Sequence, residues 1–336
     1  MKRLNHLFEK VVSFENLLLA SKKALRGKKS RASVAHFYFH LENELITLQS
    51  ELASENYRPS SYHQFEIREP KVRQICSSRF RDRVVHHAIC NWIEEPLERR
   101  LIHDTYACRL GKGAHAAVNR TQEFTRRNKY FLKCDIRKYF QSIDHSILKS
   151  LLRRILKDKK LLRLIDLIIN HGVPDSAPGK GLPIGNLTSQ HFANFYLGEL
   201  DHYLKERLRL KAYVRYMDDF ISFSNDKNDL QELLEKIRQF ASEKLKLELK
   251  KEVVRIAPVS EGVPFLGFRI FPNLIRLQRP NLVRFRKKLK KREAQFRAGL
   301  IDEKQLAVSV GSMVAHIQHV NSTRLRRRDF EISLAS

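Results

Sequence analysis

With 336 residues, 42% of them hydrophobic and 30% charged, the chain is long enough for a substantial core and two or three subdomains, and too apolar to be disordered. Its 64 Lys and Arg against 37 Asp and Glu give a net charge of +27, which points to a polyanionic partner. No run of 18 apolar residues occurs, so no helical membrane span is expected.

Residues 1–55 carry apolar positions at helical spacing: Leu4, Leu7, Val11, Phe14, Leu17 and Leu18, then again from Phe37 to Leu52. The basic linker ALRGKKSRAS joins the two runs, and the first thirty residues lack the apolar stretch and cleavage site of a secretion signal. HQFEIREPKVRQICSS alternates, with Pro70 at a turn, and predicts short extended segments within 56–80. A helix follows over 82–101, a strand opens FLKCDIRKYF (131–140), and Leu/Ile-rich residues 144–169 predict a further helix. GVPDSAPGKGLPIGN (172–186) is dense in Gly and Pro and predicts a loop, with a helix from 188 to 208 behind it. AYVRYMDDFISFS (212–224) reads as a strand pair with a hairpin at MDD. Beyond it come a helix near 228–247, a short strand at 252–256, the extended VPFLGFRIF (263–271) and a basic helix after Pro280. The mixture is α+β. Cys76, Cys90, Cys108 and Cys134 form no CxxC pair and predict reduced thiols in a cytosolic protein.

Two adjacent carboxylates inside an apolar run are costly unless their charge is compensated. Successive strand residues face opposite ways, so Asp218 and Asp219 reach one site only at a tight bend. Divalent metal is the usual relief for such repulsion. Asp135, closing the apolar strand YFLKC, supplies a third carboxylate. Three aspartates on neighbouring strands would hold two ions about 3.5–4 Å apart, the arrangement that activates a 3′-hydroxyl and braces a leaving pyrophosphate. Residues 276–336 hold fifteen Lys/Arg against five Asp/Glu, densest in RFRKKLKKREAQFR (284–297). That pattern suits a helix lying along phosphates, with contacts that weaken steeply in salt.

On these residues the sequence resembles the reverse transcriptases. YMDD (216–219) between apolar strands is the signature of that family, and further motifs occur in its order. KVRQI (71–75) resembles the basic fingers strand and YACRLGKGAHAAV (106–118) the Arg-Gly element after it. FLKCDIRKYFQSIDH (131–145) resembles the first catalytic motif, and GLPIGNLTSQ (181–190) the loop-to-helix motif around the incoming base pair. LKLELKKEVV (245–254) resembles the lysine motif and VPFLGF (263–268) the primer-grip hairpin.

The resemblance implies a right-hand polymerase fold. Residues 1–55 would form an N-terminal helical extension, 56–275 the fingers and palm, and 276–336 a small basic thumb. It implies an RNA-directed DNA polymerase, a nucleotidyltransferase, with Asp135, Asp218 and Asp219 as catalytic ligands of two Mg²⁺, Mn²⁺ being an alternative, and the Ile136 carbonyl as an additional ligand. Lys71 and Arg73 would meet the triphosphate, and Tyr139 and Phe140 the nucleotide, with Phe140 as a gate against a ribose 2′-hydroxyl. Ile184 and Gly185 would lie by the nascent pair, and Lys251, or equally Lys250, by the leaving pyrophosphate. Template and primer would contact Arg109, Gln190, Tyr216, Met217, Phe265, Leu266, Gly267, Arg284, Lys287, Lys288 and Lys291.

Most of the family carries Gln-Gly-x-x-x-Ser-Pro in the loop-to-helix motif, whereas this chain has Ile184-Gly185 followed by Ser189-Gln190. The variant looks like the reverse transcriptases of diversity-generating retroelements, which copy a template RNA into cDNA with frequent errors at adenines. The cDNA then replaces a variable region of a target gene, a process of mutagenic retrohoming. Losing a hydrogen bond that checks alignment, worth about 1–3 kcal/mol, would forfeit roughly a factor of ten in discrimination. The likeness implies template RNA, cDNA primer and dNTPs as partners, together with a small basic accessory protein in a pentameric barrel. It also implies a cytoplasmic, bacterial or phage-encoded setting with no membrane. About sixty residues follow 275, a thumb's length, with no RNase H-like segment visible. A group II intron-like or retron reverse transcriptase, and an inactive RNA-binding scaffold of the same fold, stay open as alternatives.

Overall fold

The computed structural model describes residues 3–28, 32–68, 72–173 and 176–317. Four helices open the chain: α1 (Phe8–Val12), α2 (Phe14–Leu25), α3 (Ala32–Phe39) and α4 (Leu41–Ala53). Strands β1 (His63–Ile67) and β2 (Arg73–Ser77) lead to α5 (Phe80–Glu98) and α6 (Ala114–Thr125). Then come β3 (Tyr130–Asp135), α7 (Tyr139–Ser142), α8 (His145–Ile155), α9 (Lys159–Asn170) and α10 (Leu187–His202). The hairpin β4 (Tyr213–Tyr216) and β5 (Asp219–Ser224) precedes α11 (Lys227–Leu245) and β6 (Arg255–Pro258). Finally β7 (Val263–Phe265), β8 (Phe268–Phe271) and β9 (Leu274–Leu277) are followed by α12 (Arg279–Arg297) and α13 (Glu303–Ile317).

The chain folds into two compact units, one built from 1–103, 136–210 and 236–250 and the other from 104–135, 211–235 and 251 onward. The first is mainly helical. Its centre is α5, whose Val84, Val85, Ala88, Ile89 and Ile93 are buried and against which α2 and α10 pack. β1 and β2 form an antiparallel hairpin from His63↔Ser77 to Ile67↔Arg73. The continuous helix expected over 144–169 is broken between α8 and α9. Leu156 is extended there, and Asp158 caps α9 by accepting from the Leu161 N–H. The other Asp158 oxygen accepts from the Leu7 and Phe8 N–H groups at 2.8 Å each, tying the start of the chain to this corner. The helix expected to 208 ends at His202, and its last turn, Tyr203–Arg207, widens into a π turn with Tyr203 stacked on Phe240.

The second unit holds a four-stranded antiparallel sheet in the order β4-β5-β3-β6 and a three-stranded meander β7-β8-β9. One face of the larger sheet contributes Phe131, Val214, Ile221, Phe223 and Ala257 to a core shared with Phe265, Phe268, Ile270, Phe285 and Leu289. α6 and β9 were not expected from the sequence, and the strand expected at 252–256 lies at 255–258. The four cysteines form no disulfide, and of them only Cys108 is exposed. Among the described residues no helix is long and apolar enough to cross a membrane.

Candidate active site

Strand alternation places the acidic cluster. In β3, Phe131, Lys133 and Asp135 share one face, and in β5 the pairing sets Phe223, Ile221 and Asp219 opposite them. Asp135 and Asp219 are therefore direct cross-strand partners at the end of the apolar face, with side chains on the same side. Asp218 is next to Asp219 in the two-residue turn that closes β4 and β5, where Tyr216 pairs with Asp219.

The turn is built under strain. Met217 has φ 58°, a left-handed conformation that costs a side-chain-bearing residue about 1–2 kcal/mol. Its carbonyl accepts from Arg215 Nη1 at 3.0 Å, and Arg215 is wholly buried. The backbone of Arg215 is in turn held by Asp104 and Tyr106, through bonds of 2.9 and 3.0 Å. A buried guanidinium thus fixes the tip that presents the adjacent carboxylates.

Asp219 Oδ1 is enclosed and meets no hydrogen-bond donor, while Oδ2 accepts from Lys133 Nζ at 3.2 Å. Burial pushes the Asp219 carboxyl up to about 7. The Lys133 ammonium opposes that rise, and the charges of Asp135 and Asp218 add to it. Lys133 Nζ also donates to the Pro264 carbonyl at 2.8 Å, tying β3 to the start of the meander. Among the described residues no three His, Cys, Asp or Glu side chains converge closely enough to grip an ion as they stand. An enclosed, unpartnered carboxylate oxygen beside two further carboxylates is nonetheless a donor set of the hard-oxygen type that Mg²⁺ takes. Sequence reasoning missed Lys133 and the clamp role of Arg215. Both are cations at apolar strand positions, which is the signal that would have found them.

The residues expected around a nucleotide belong mostly to the helical unit. Lys71 lies outside the described residues, and Arg73 is exposed at the start of β2. Phe140 is half-buried, but Tyr139 is 2% exposed and its hydroxyl donates to the Ala193 carbonyl. The Tyr139 side chain therefore supports the wall of α10 and does not present itself to a ligand. Ile184 is half-buried, and its carbonyl accepts from the Cys76 N–H at 3.0 Å. Gly185 has φ 130°, and a Cβ there would stand 2.9 Å from the Cys76 carbonyl oxygen, so glycine is required by strand β2 itself. Gln190 is half-buried on α10. Ile136 is buried and bridges Leu249, while Lys250 is half-buried and Lys251 exposed.

In the sheet unit, Arg109 Nη1 donates to the Thr105 carbonyl at 2.7 Å. Tyr216 and Met217 are half-buried. Phe265, expected to touch primer, is fully buried in the core and is a packing residue. Leu266 and Gly267 form the β7–β8 turn, with φ 48° and 86°, and the Gly267 carbonyl accepts from Asn281 Nδ2 at 3.0 Å. On α12, Arg284 Nη1 donates to Asn281 Oδ1, while Lys287, Lys288 and Lys291 are exposed.

A family model for reverse transcriptase (RNA-dependent DNA polymerase) matches residues 66–270. The chain is 26% identical over 270 residues to Protein YkfC of Escherichia coli, a match covering 68% of this chain and 71% of that one. It is 25% identical over 288 residues to the Group II intron-encoded protein LtrA of Lactococcus lactis, covering 66% of this chain and 47% of LtrA, so it spans about half of that relative. In fold it is similar to a telomerase from Candida albicans solved with a fragment of telomeric RNA, with a TM-score of 0.52 at 12% identity. That likeness covers 88% of this chain and 60% of the telomerase, and it places the mixed helix and strand architecture among right-hand polymerase folds.

Proposed function

The chain belongs to the reverse transcriptase (RNA-dependent DNA polymerase) family, an RNA-directed DNA polymerase by class, and from that premise we propose that it copies a template RNA into cDNA with relaxed selection of the incoming nucleotide. The observation that carries the polymerase reading is the cross-strand pair Asp135 and Asp219 beside Asp218, with Asp219 Oδ1 enclosed and unpartnered. Asp135, Asp218 and Asp219 would hold two Mg²⁺ or Mn²⁺ ions, joined by the Ile136 carbonyl. When bound, the ions supply Lewis acidity toward a 3′-hydroxyl and charge for a leaving pyrophosphate. Arg215 keeps the turn in register, and Lys133 balances the Asp219 charge until a cation does so. Lys71 and Arg73 would clamp the triphosphate, with Lys250 or Lys251 beside the departing pyrophosphate, and the Phe140 ring would fill the space that a ribose 2′-hydroxyl needs. The exposed lysines of α12 would follow the backbone of the template–primer duplex as a basic thumb.

The finer reading is a reverse transcriptase of a diversity-generating retroelement. It rests on Ile184, an apolar side chain that offers no hydrogen bond where most of the family carries glutamine. In that setting the partners would be template RNA, cDNA and a small basic pentameric accessory protein, in the cytoplasm of a bacterium or phage-infected cell. The similarity to LtrA favours a second reading, a group II intron-like enzyme. Primer extension on an RNA template with Mg²⁺ and dNTPs tests the activity: wild type should extend and Asp218→Asn should not. Single-nucleotide insertion opposite template adenine separates the two readings. Ile184→Gln should lower misinsertion about tenfold in the error-prone reading, and an unchanged error ratio contradicts it.

A further inference from the structure

Behind the Ile184–Gly185 loop lies an open series of four hydrogen-bonded polar side chains. Ser78 follows β2, His86 stands on α5, and Asn186 and Thr188 open α10; all four are buried, at 5% exposure or less. Ser78 Oγ donates to Asn186 Oδ1 at 2.5 Å and lies 3.4 Å from His86 Nε2. On the other side of the ring, His86 Nδ1 and Thr188 Oγ1 are in hydrogen-bond contact at 2.9 Å. Burial, helped by the nearby His87, His171 and Arg83, pushes His86 down to about 3, so the ring is neutral at any working pH. The loop is thereby gripped twice. The Cys76 N–H holds the Ile184 carbonyl from one side, and from the other Ser78 holds Asn186 while the imidazole holds Thr188.

Buried hydrogen bonds of this kind favour one geometry of the groups they join, where an apolar core of similar volume would only hold the elements together. Where this loop faces a nascent base pair, the Ile184 side chain would offer it no hydrogen bond, and the position of the loop backbone would be the means of selection. We propose that His86 is a positioning residue for nucleotide selection, acting through Ser78 and Thr188 to set the attitude of Ile184–Gly185. The inference rests on the reading of that loop as nucleotide-facing.

The test is single-nucleotide incorporation by the full chain on an RNA template, with melting temperature and template–primer affinity measured alongside. Thr188→Val and Ser78→Ala should raise the KM for the correct dNTP about three- to tenfold, the scale of one lost hydrogen bond. Under the proposal kcat and duplex affinity stay within twofold, and Thr188→Ser restores the wild-type KM. The proposal is overturned if Thr188→Val matches Thr188→Ser, or if the rise in KM comes with a fall in kcat, duplex affinity and melting temperature together. Ile184→Ala separates the premise from the inference. Altered KM or misinsertion in Ile184→Ala, with silent network variants, sinks the role of His86 and leaves the loop reading standing. No change in Ile184→Ala sinks both.

Discussion

The sheet unit contains two tight hairpins that solve one geometric problem in opposite ways. Each closes with two residues, and each begins its turn with a side-chain-bearing residue at positive φ, Met217 at 58° and Leu266 at 48°. In the β7–β8 hairpin the second position is Gly267, which meets the left-handed requirement at little cost and lets Asn281 approach its carbonyl. In the β4–β5 hairpin the second position is Asp218, followed by Asp219, and the strain is restrained by a buried arginine instead. One turn is eased at its second position by glycine and serves packing. The other keeps residues that a stable fold alone would not choose, which is where function is expected to override local preference.

The comparison breaks most visibly at the carboxylates. Asp219→Asn and Asp135→Asn should each lower primer extension by about 10²–10³-fold or more, the scale of a lost electrostatic contact to a transition state. Because Asp219 is enclosed and crowded by like charges, Asp219→Asn should not lower the melting temperature, and thermal unfolding beside an extension assay checks both halves. Next in size is the clamp. Arg215→Met removes the donor to the Met217 carbonyl and should cost about 1.5–3 kcal/mol of stability. It should also raise the Mg²⁺ concentration for half-maximal activity, which denaturant melts and a metal titration would read together.

A smaller contrast sharpens the difference between the turns. Gly267→Ala places a Cβ 2.1 Å from Asn281 Nδ2 at φ 86° and should destabilise by about 1–2 kcal/mol. Met217→Gly should be close to neutral, since relief of strain is offset by about 0.5–1 kcal/mol of added unfolded-chain entropy. Urea midpoints of the two variants give the comparison directly. The smallest effect belongs to α12. Lys288→Ala should flatten the dependence of log affinity on log salt by about 0.9 for a duplex, with no change in the insertion step.

Much of the acidic site was legible because period-two alternation is a strong signal. Apolar runs around MDD and one ending in Asp135 indicated the hairpin and aspartates on neighbouring strands, while the direct pairing of Asp135 with Asp219 is set by register. Lys133 and Arg215 were in plain view in the same strands, yet which cation faces which carbonyl depends on pairing register, which no single strand encodes. The break at Asp158 was hidden because α8 and α9 share one continuous Leu/Ile pattern, and only the capping bonds to Leu7, Phe8 and Leu161 separate them. Phe265 looked like a grip residue from its motif, but its side chain is consumed by the core. The Ser78–Asn186 and His86–Thr188 bonds join positions 108 and 102 residues apart and have no local signature.

The central claim is that Asp135, Asp218 and Asp219 gather a pair of divalent ions. Crystals grown with Mn²⁺, template–primer and a non-hydrolysable dNTP test it directly through anomalous scattering. The account predicts two peaks, each about 2.1 Å from carboxylate oxygens of this trio, with Lys133 withdrawn from Asp219. Manganese bound elsewhere, with Asp219 still paired to Lys133 in the loaded complex, would contradict it.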